Sequence, residues 1–279
     1  MPGALIRVGT CAWSDHAGFY PPGLPANGRL GYYAQFFPLV EVDSTFYHPA
    51  SGRNCALWAQ RTPESFRFHL KVHRSLTWHD KQAIPTPRDL PGMAAALLAA
   101  TMPLWQSGKL ICFHAQFPPW FVARPETERY LAALRESIPE RPIAVEFRHR
   151  SWFRDPDRVR QTLGLLQRLS FAHTVCDEPQ IGTGSVPPVL AHTTDLALVR
   201  LHGRNAATWY AKTATSGERF HYRYSPDELQ SLATDVHTLA ASALQVHVLF
   251  NNNHEDDAVR NAAQFAQLLR LGYTDPWEP

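Results

Sequence analysis

The sequence lacks the features that mark secreted, membrane-spanning or metal-scaffold proteins. Four cysteines among 279 residues lie far apart, and no two have the C-x-x-C spacing of a zinc ribbon or a redox motif. Cysteines this sparse suit a reducing compartment. No stretch approaches the ~20 apolar residues of a membrane span, and no charged segment followed by an apolar run opens the chain. These absences predict a cytoplasmic protein without a signal peptide or membrane association.

An excess of charge of one sign is also missing. Lysine and arginine total 27, aspartate and glutamate total 25, and the formal net charge is +2. So small an excess does not mark a general nucleic-acid binder, although a local basic patch remains compatible with it. The 44% of hydrophobic residues is enough for a large buried core, and barrels of about 250 residues commonly form one domain.

Short strand-like segments alternate with helix-like stretches along the chain. Such alternation predicts a parallel sheet, and eight repeats predict closure into an α/β barrel of the (β/α)8 TIM type. We therefore expect one domain over residues 1–279, with irregular segments after strand six (178–194) and strand seven (202–224). The predicted strands are 6–11, 40–45, 66–72, 110–115, 143–147, 171–176, 196–201 and 246–251. The predicted helices are 30–37, 53–60, 92–105, 126–137, 155–169, 229–244 and 255–269.

Polar residues alternate with apolar ones in these strands, although fully buried parallel strands usually form nearly continuous apolar runs. Successive strand side chains point to opposite faces, so each strand has an apolar and a polar face. The apolar face must pack against the outer helices, and we expect the polar face to point into the barrel. By this alternation the inward-facing polar residues are Glu41, Asp43, Thr45, Tyr47, Arg67, His69, Lys71, His73, His114, Gln116, Glu146, Arg148, His173, Asp177, Arg200, His202, Asn251 and Asn253.

These polar residues concentrate late in each strand, at the end where barrels of this type carry their active sites. A structural ion-pair network is the alternative, with Glu41–Arg67 and Glu146–Arg148 as candidate pairs. Because desolvating so many charges without a function is costly, we expect a functional site at the mouth of the barrel. His79 has no partner visible in the sequence and is expected at the surface.

Several ordered blocks of the sequence resemble the YecE-like family, also called domain of unknown function 72. The resemblance covers essentially the whole chain and implies a TIM barrel, but it supplies no reaction. One departure is Asp43, where the family often carries asparagine. The blocks are Val8-Gly-Thr-Cys-Ala-Trp13, Glu41-Val-Asp-Ser-Thr-Phe-Tyr47, Gln116-Phe-Pro-Pro119, Val145-Glu-Phe-Arg-His149 with Ser151-Trp152, Val199-Arg-Leu-His-Gly203 and Phe250-Asn-Asn-Asn253.

The first functional hypothesis is an enzyme, hydrolase-like but of unknown reaction, for an anionic substrate that is phosphate-bearing or derived from nucleic acid. Carboxylates beside a histidine would act as general acid or base, and the lysine and arginines would bind phosphate oxygens. The expected catalytic residues are Glu146, His202, Asp43 and Lys71. The expected ligand-binding residues are Arg148, Arg200, Gln116, Asn251, Asn253, Tyr47, Trp13, Asp177, Arg204 and Tyr222.

The segment after strand seven is rich in basic and aromatic residues. This mixture suits single-stranded nucleic acid through charge and stacking, and loops after strands seven and eight often carry phosphate sites in this fold. A solvated lid with aromatic residues packed on the barrel is the alternative. The residues concerned are Arg204, Trp209, Tyr210, Lys212, Arg219, His221, Tyr222, Arg223 and Tyr224.

Two further hypotheses remain open. A divalent-metal hydrolase or isomerase has suitable ligand types, but Lys71 and Arg148 would repel a cation, and His69 and His73 would lie about 13 Å apart on a strand. We therefore assign no metal ligands and expect no cofactor, with a divalent metal as the alternative. The third hypothesis is a non-catalytic protein that binds a ligand or single-stranded nucleic acid. The candidate metal ligands are Asp43, His69, His73, Glu146, Asp177 and His202.

Overall fold

A computed structural model describes residues 3–211 and 216–277. Eight parallel strands close into a barrel, each hydrogen-bonded to its neighbours in chain order, with the last strand pairing with the first. This closed parallel barrel with alternating helices confirms the predicted TIM-type fold. The strands are β1 (Leu5–Cys11), β2 (Leu39–Val42), β3 (Arg67–Lys71), β4 (Leu110–Gln116), β5 (Ile143–Glu146), β6 (Phe171–Asp177), β7 (Leu196–Leu201) and β8 (Gln245–Phe250).

Helices cover the outside of the barrel, and a capping box begins one of them, α7 (Pro226–Ala240). In α7 the Ser225 hydroxyl accepts from the Glu228 backbone N–H and the Glu228 carboxylate accepts from Ser225 N–H, with Pro226 in the first turn. No helix in the described parts of the chain is long and apolar enough to cross a membrane. The helices are α1 (Arg29–Tyr33), α2 (Gly52–Gln60), α3 (Leu90–Gln106), α4 (Pro125–Ser137), α5 (Pro156–Arg168), α6 (Ser216–Arg219), α7 (Pro226–Ala240) and α8 (Asp257–Leu268).

The two irregular connections lie where the sequence predicts them. No helix forms between β6 and β7, a connection that is wholly described. Between β7 and α7 the described residues contain only the four-residue α6. These two connections meet, because the Tyr210 hydroxyl donates to the Ile181 carbonyl over 2.8 Å. They therefore form one wall of the barrel mouth.

Four of the strands, β2, β3, β5 and β8, end earlier than predicted, and the ends of β2 and β5 affect the site. β2 stops at Val42 and continues as a 3₁₀ turn over Asp43–Phe46, where the two-residue alternation no longer applies. Thr45 is buried in this turn and donates to the backbone carbonyl of Lys71. β5 stops at Glu146, so Arg148 lies in the connection that follows. The turn after β2 holds Asp43 at the barrel mouth and ties it to the end of β3.

The barrel interior has an apolar part and a polar part. Small and medium apolar side chains form one cluster, and the larger core cluster contains residues of both strands and helices. At the amino-terminal end of the barrel His69 and His247 form a buried hydrogen bond of 2.9 Å. The inner apolar residues are Cys11, Leu39, Cys112, Ala144, Ala172, Leu198 and Leu249.

Candidate functional site

A cavity of about 860 Å³ opens at the carboxyl ends of the strands. Its volume lies within the range of small-molecule sites, which is roughly 300–1,000 Å³. Aromatic rings form much of the wall, with charged and amide side chains between them. The side chains that matter for its chemistry are Trp13, Asp43, Tyr47, Lys71, His79, Gln116, Trp120, Arg148, Trp209, Tyr210, Arg219, Phe220, Asn251 and Asn253.

A buried ionic network lies beneath this cavity and spans the barrel. Arg200, which is 0% exposed, donates to Glu41 on β2 over 2.6 Å and to Glu146 on β5 over 2.7 Å. His114 on β4 lies between the same carboxylates, 3.1 Å from Glu41 and 3.3 Å from Glu146. Arg200 therefore holds the network together but does not line the cavity, which corrects its expected role in ligand binding. Glu41 pairs with Arg200 and not with Arg67.

Arg148 extends the network to the cavity wall. Its guanidinium donates to Glu146 over 2.5 Å and to Glu178 over 2.7 Å, and a further N–H lies 2.9 Å from Nε2 of His202. The same group lies 5.3 Å from the centre of the Trp209 ring, a cation–π contact. Because these N–H groups already bind protein atoms, Arg148 offers few free hydrogen bonds to a ligand. It affects the cavity mainly through its positive charge.

The network sets the protonation states of its carboxylates. Burial alone would raise the pKa of Glu146, but Arg148 and Arg200 outweigh it and hold that pKa well below its usual value. Arg200 and His114 do the same for the pKa of Glu41. Burial raises the pKa of Glu178 to about 7. Glu146 is thus a fixed anion that is poorly suited to exchange protons, which weighs against its expected role as general base.

Asp43 lies beside Lys71 in the wall of the cavity. The Lys71 ammonium lies 3.6 Å from the Asp43 carboxylate and 4.8 Å from the Phe46 ring, and both charged groups line the cavity. Burial, together with the neighbouring Glu41 carboxylate, raises the pKa of Asp43 to about 6. A carboxyl group that titrates near neutrality can both donate and accept a proton there.

His202 serves this site as a neutral group beneath the cavity. Burial and the neighbouring Arg148 charge lower its pKa to about 3. Because a guanidinium only donates, Nε2 must accept from Arg148, and the ring proton then resides on Nδ1. The side-chain amide of Asn251 lies 2.8 Å from Nδ1. The atom at this distance is Nδ2, and a 180° rotation of the amide, which exchanges its nitrogen and oxygen, lets the oxygen accept the Nδ1 proton.

Besides Arg200, three predicted ligand-binding residues lie outside this cavity. Asp177 pairs with Arg204 over 2.7 Å, and Arg204 also pairs with Glu228 on α7 over 3.1 Å. The Tyr222 hydroxyl donates to the same Glu228 carboxylate. The predicted inward orientation of Asp177 is wrong because Cys176 takes the inward position, close to Glu146 and His202. The three residues instead tie the segment after β7 to the outer side of the barrel.

Sequence reasoning missed several residues that the structure brings to the site, among them Glu178 and His79. Glu178 follows the inward-facing Cys176 by two positions, so the correct alternation of β6 would have identified it. His79 lines the cavity and packs edge-on against Phe46, which corrects its expected place at the surface. Nothing in the sequence signals that contact. Lys212, expected to add positive charge here, lies outside the described residues.

Two candidate metal-ligand groups lie within the buried network. One consists of Glu146, Cys176 and His202, and the other of Cys11, Glu41 and Asp43. An arginine side chain already contacts each group. Arg148 contacts Glu146, and Arg200 lies 3.2 Å from the Cys11 sulfur. Burial also raises the pKa of both thiols, which disfavours the thiolates that bind metals. These groups therefore fit a divalent ion poorly.

Comparison with known proteins places the chain in a family. A family model described as "Protein of unknown function DUF72" matches residues 7–279. UPF0759 protein YunF of Bacillus subtilis (strain 168) is 38% identical over 274 residues, which cover 97% of this chain and 96% of that protein.

Solved structures agree with this match. A DUF72 family protein from Enterococcus faecalis V583 gives a TM-score of 0.85 at 35% identity, with 99% of each chain covered. Another from Thermotoga maritima MSB8 gives 0.83 at 33% identity, with 95% of this chain and 99% of that one covered. The resemblance stated from the sequence blocks is confirmed: the chain belongs to the family of proteins of unknown function DUF72.

Proposed function

We propose that this protein is an enzyme that performs acid–base chemistry on a small anionic, phosphate-bearing substrate in the cavity at the barrel mouth. One observation carries the proposal: the Asp43 carboxyl, with a pKa raised to about 6, lies 3.6 Å from the Lys71 ammonium in the wall of the cavity at the barrel mouth. Asp43 is the group that donates or accepts the proton. Lys71 binds the anionic group of the substrate and stabilises charge that develops beside Asp43.

The charges of the lining support an anionic substrate. Lys71, Arg148 and Arg219 line the cavity against the carboxylates of Asp15 and Asp43. The net charge of these lining side chains is weakly positive, and it becomes more positive when Asp43 takes up a proton. The amide groups of Gln116, Asn251 and Asn253 add uncharged hydrogen-bonding groups around the same space.

The aromatic wall supports a substrate that also carries a ring. Trp13, Trp120 and Trp209 lie around the cavity together with Tyr47 and Tyr210. Ring stacking would orient the substrate while the cations hold its anionic end, which is the arrangement that positions a reacting group near a general acid. The metal-dependent alternative is less well supported, because guanidinium groups contact the two ligand sets next to the cavity.

Binding is tested first, by thermal denaturation in the presence of inorganic phosphate, sugar phosphates and nucleoside monophosphates. At least one phosphate compound is expected to raise the melting temperature of the wild type but not of Lys71→Met, which keeps the length of the side chain. Arg53→Met removes an exposed cation on α2, outside the cavity lining, and serves as the matched control. No stabilisation by any compound would refute the anionic substrate.

Catalysis is tested with the compounds that bind, by following product formation by NMR. Asp43→Asn is expected to keep binding and to lose at least a hundredfold in rate, because the amide cannot exchange the proton. Turnover by Asp43→Asn at the wild-type rate would refute the role of Asp43. Binding without turnover by the wild type would identify a non-catalytic binding protein instead.

A further inference from the structure

A second group of metal-ligand side chains lies outside the cavity, where the segment after β7 meets the turn before α8. His221, His254 and Asp257 each offer one ligand atom, and these atoms all lie within 4.8 Å of one another. The two imidazole rings are stacked, with centres 3.7 Å apart and planes at 16°. This site does not involve the Asp43–Lys71 pair, so it stands independently of the proposed reaction.

We propose that His221, His254 and Asp257 bind a divalent transition-metal ion of the zinc class. Two imidazole nitrogens and one carboxylate oxygen are a common ligand set for zinc, with water in the fourth position. Zinc–nitrogen bonds of about 2.0–2.1 Å place tetrahedral ligand atoms roughly 3.3 Å apart. His221 is exposed, so a rotation of its side chain can bring its nitrogen to that distance.

The backbone already holds the ligands near one another. His254 and Asp257 belong to one turn, in which Asp257 N–H donates to the His254 carbonyl over 3.0 Å. His221 comes from the other segment, where the Asn205 side chain donates to its carbonyl over 2.9 Å. The Asn252 side chain joins the two segments by donating to the next carbonyl, that of Tyr222, over 2.8 Å. The ion would therefore enter a site that needs little ordering of the chain.

One ring nitrogen of His254 has no hydrogen-bond partner among the described residues. Nδ1 of His254 is shielded from solvent and has no hydrogen bond to any part of the chain that the structure describes, and an unsatisfied buried polar atom is costly. A metal ion, or a proton-mediated contact with a neighbour, would satisfy it.

The surrounding charges also permit a cation. Asp257 keeps one carboxylate oxygen for a ligand, since Arg223 contacts only Oδ1, at 2.6 Å. Glu255 and Asp256 add negative charge next to it, partly offset by Arg260, which lies 4.0 Å from Asp256. A guanidinium contacts this ligand set as well, but Arg223 is half-exposed, so solvent screens its charge more than that of the buried arginines in the barrel interior.

Binding would fasten the segment after β7 to the end of β8. The same segment contributes Trp209, Arg219 and Phe220 to the cavity wall. A metal ion at His221 would thus act as a cross-link that stabilises the wall, without taking part in the chemistry.

The test is isothermal titration of Zn²⁺ into tag-free, chelator-treated full-length protein at pH 7.5. The proposal predicts one ion per chain with a dissociation constant in the micromolar range. His221→Ala and His254→Gln should each weaken binding at least tenfold, while His237→Ala, an exposed histidine on α7, should leave it unchanged. Because His221 is exposed, its replacement is not expected to disturb folding.

A spectroscopic measurement accompanies the titration. Co²⁺ in place of Zn²⁺ should give the visible absorption bands of a four-coordinate site, and these should be lost in His221→Ala. No binding at millimolar Zn²⁺ would overturn the proposal. It would also be overturned if His221→Ala and His254→Gln bound Zn²⁺ with the same affinity as the wild type.

Discussion

Glu146 illustrates how single residues hold this site together. Its carboxylate, fully buried at the end of β5, accepts from Arg148 and Arg200 and lies 3.3 Å from His114. Removing one partner of a buried ion pair leaves an uncompensated charge, which costs far more than the loss of a surface pair. In this network two guanidinium groups would lose a partner at once.

We expect Glu146→Ala to lower the free energy of unfolding by about 3–5 kcal/mol, because it leaves Arg148 and Arg200 partly unpaired in the barrel interior. Urea denaturation followed by circular dichroism measures this. Glu126→Ala breaks an exposed pair with Arg124 on α4 and should cost less than about 1 kcal/mol. Similar losses for the two variants would show that the network is not a stabilising unit.

At the scale of the element, the connection after β7 decides the shape of the cavity wall. It begins at Gly203, whose φ of +84° lies in the left-handed region that side chains other than glycine rarely adopt. A Cβ atom there would lie 2.5 Å from Cβ of Tyr222. The chain can therefore fold back on itself at this point only because the residue has no side chain.

Gly203→Ala should destabilise the protein by about 2 kcal/mol or more, since the strained φ and the Tyr222 contact act together. Gly92→Ala is the matched control, because Gly92 lies inside α3 with no atom within 4 Å of the added Cβ. That variant should gain about 0.5–1 kcal/mol from helix propensity. Thermal and urea unfolding distinguish the two, and a stabilised Gly203→Ala would contradict the argument.

For the whole molecule, buried titratable groups link stability to pH. Burial lowers the pKa of His69 to about 3, of His173 to about 4 and of His202 to about 3. These histidines take up protons in the unfolded chain near their ordinary pKa of about 6.5 and remain neutral in the folded one. Their contribution is therefore present at pH 7 and is lost as the pH falls toward 3.

The buried carboxylates change the stability in opposite directions as the pH falls. The depressed pKa values of Glu41 and Glu146 add to the loss of stability below pH 4.5. The raised pKa values of Asp43 and Glu178, about 6 and about 7, oppose it, because these groups bind protons more tightly in the folded state. The histidines and the two carboxylates with lowered pKa values outnumber the two carboxylates with raised pKa values.

We therefore expect the free energy of unfolding to fall as the pH decreases from 7 to 4, by on the order of 2 kcal/mol per pH unit near pH 5. Urea denaturation at a series of pH values measures the slope, which reports the protons taken up on unfolding. Constant or rising stability between pH 7 and pH 5 would refute this assignment of neutral buried histidines.

Much of the fold could be predicted, because strand–helix alternation is a local property of the chain. The order of the strands, the irregular connections and the capping box at Ser225 all follow from such local patterns. The alternation of β6 misled the prediction, since Thr174 and Cys176 face inward although the charged Asp177 stands beside them. Small residues fill that part of the interior, so polarity is a poor guide to orientation there.

The sequence alone determined the barrel and the family, and it brought Asp43, Lys71 and Arg148 to the correct end of the strands. Only the tertiary structure decided which charges are free to act. Arg200 and Glu146 neutralise one another inside the barrel, whereas Asp43 and Lys71 face the cavity. The partners in these ion pairs lie far apart in the chain, and the burial of a side chain depends on every neighbouring element. Neither the pairing nor the burial can therefore be derived from a local pattern.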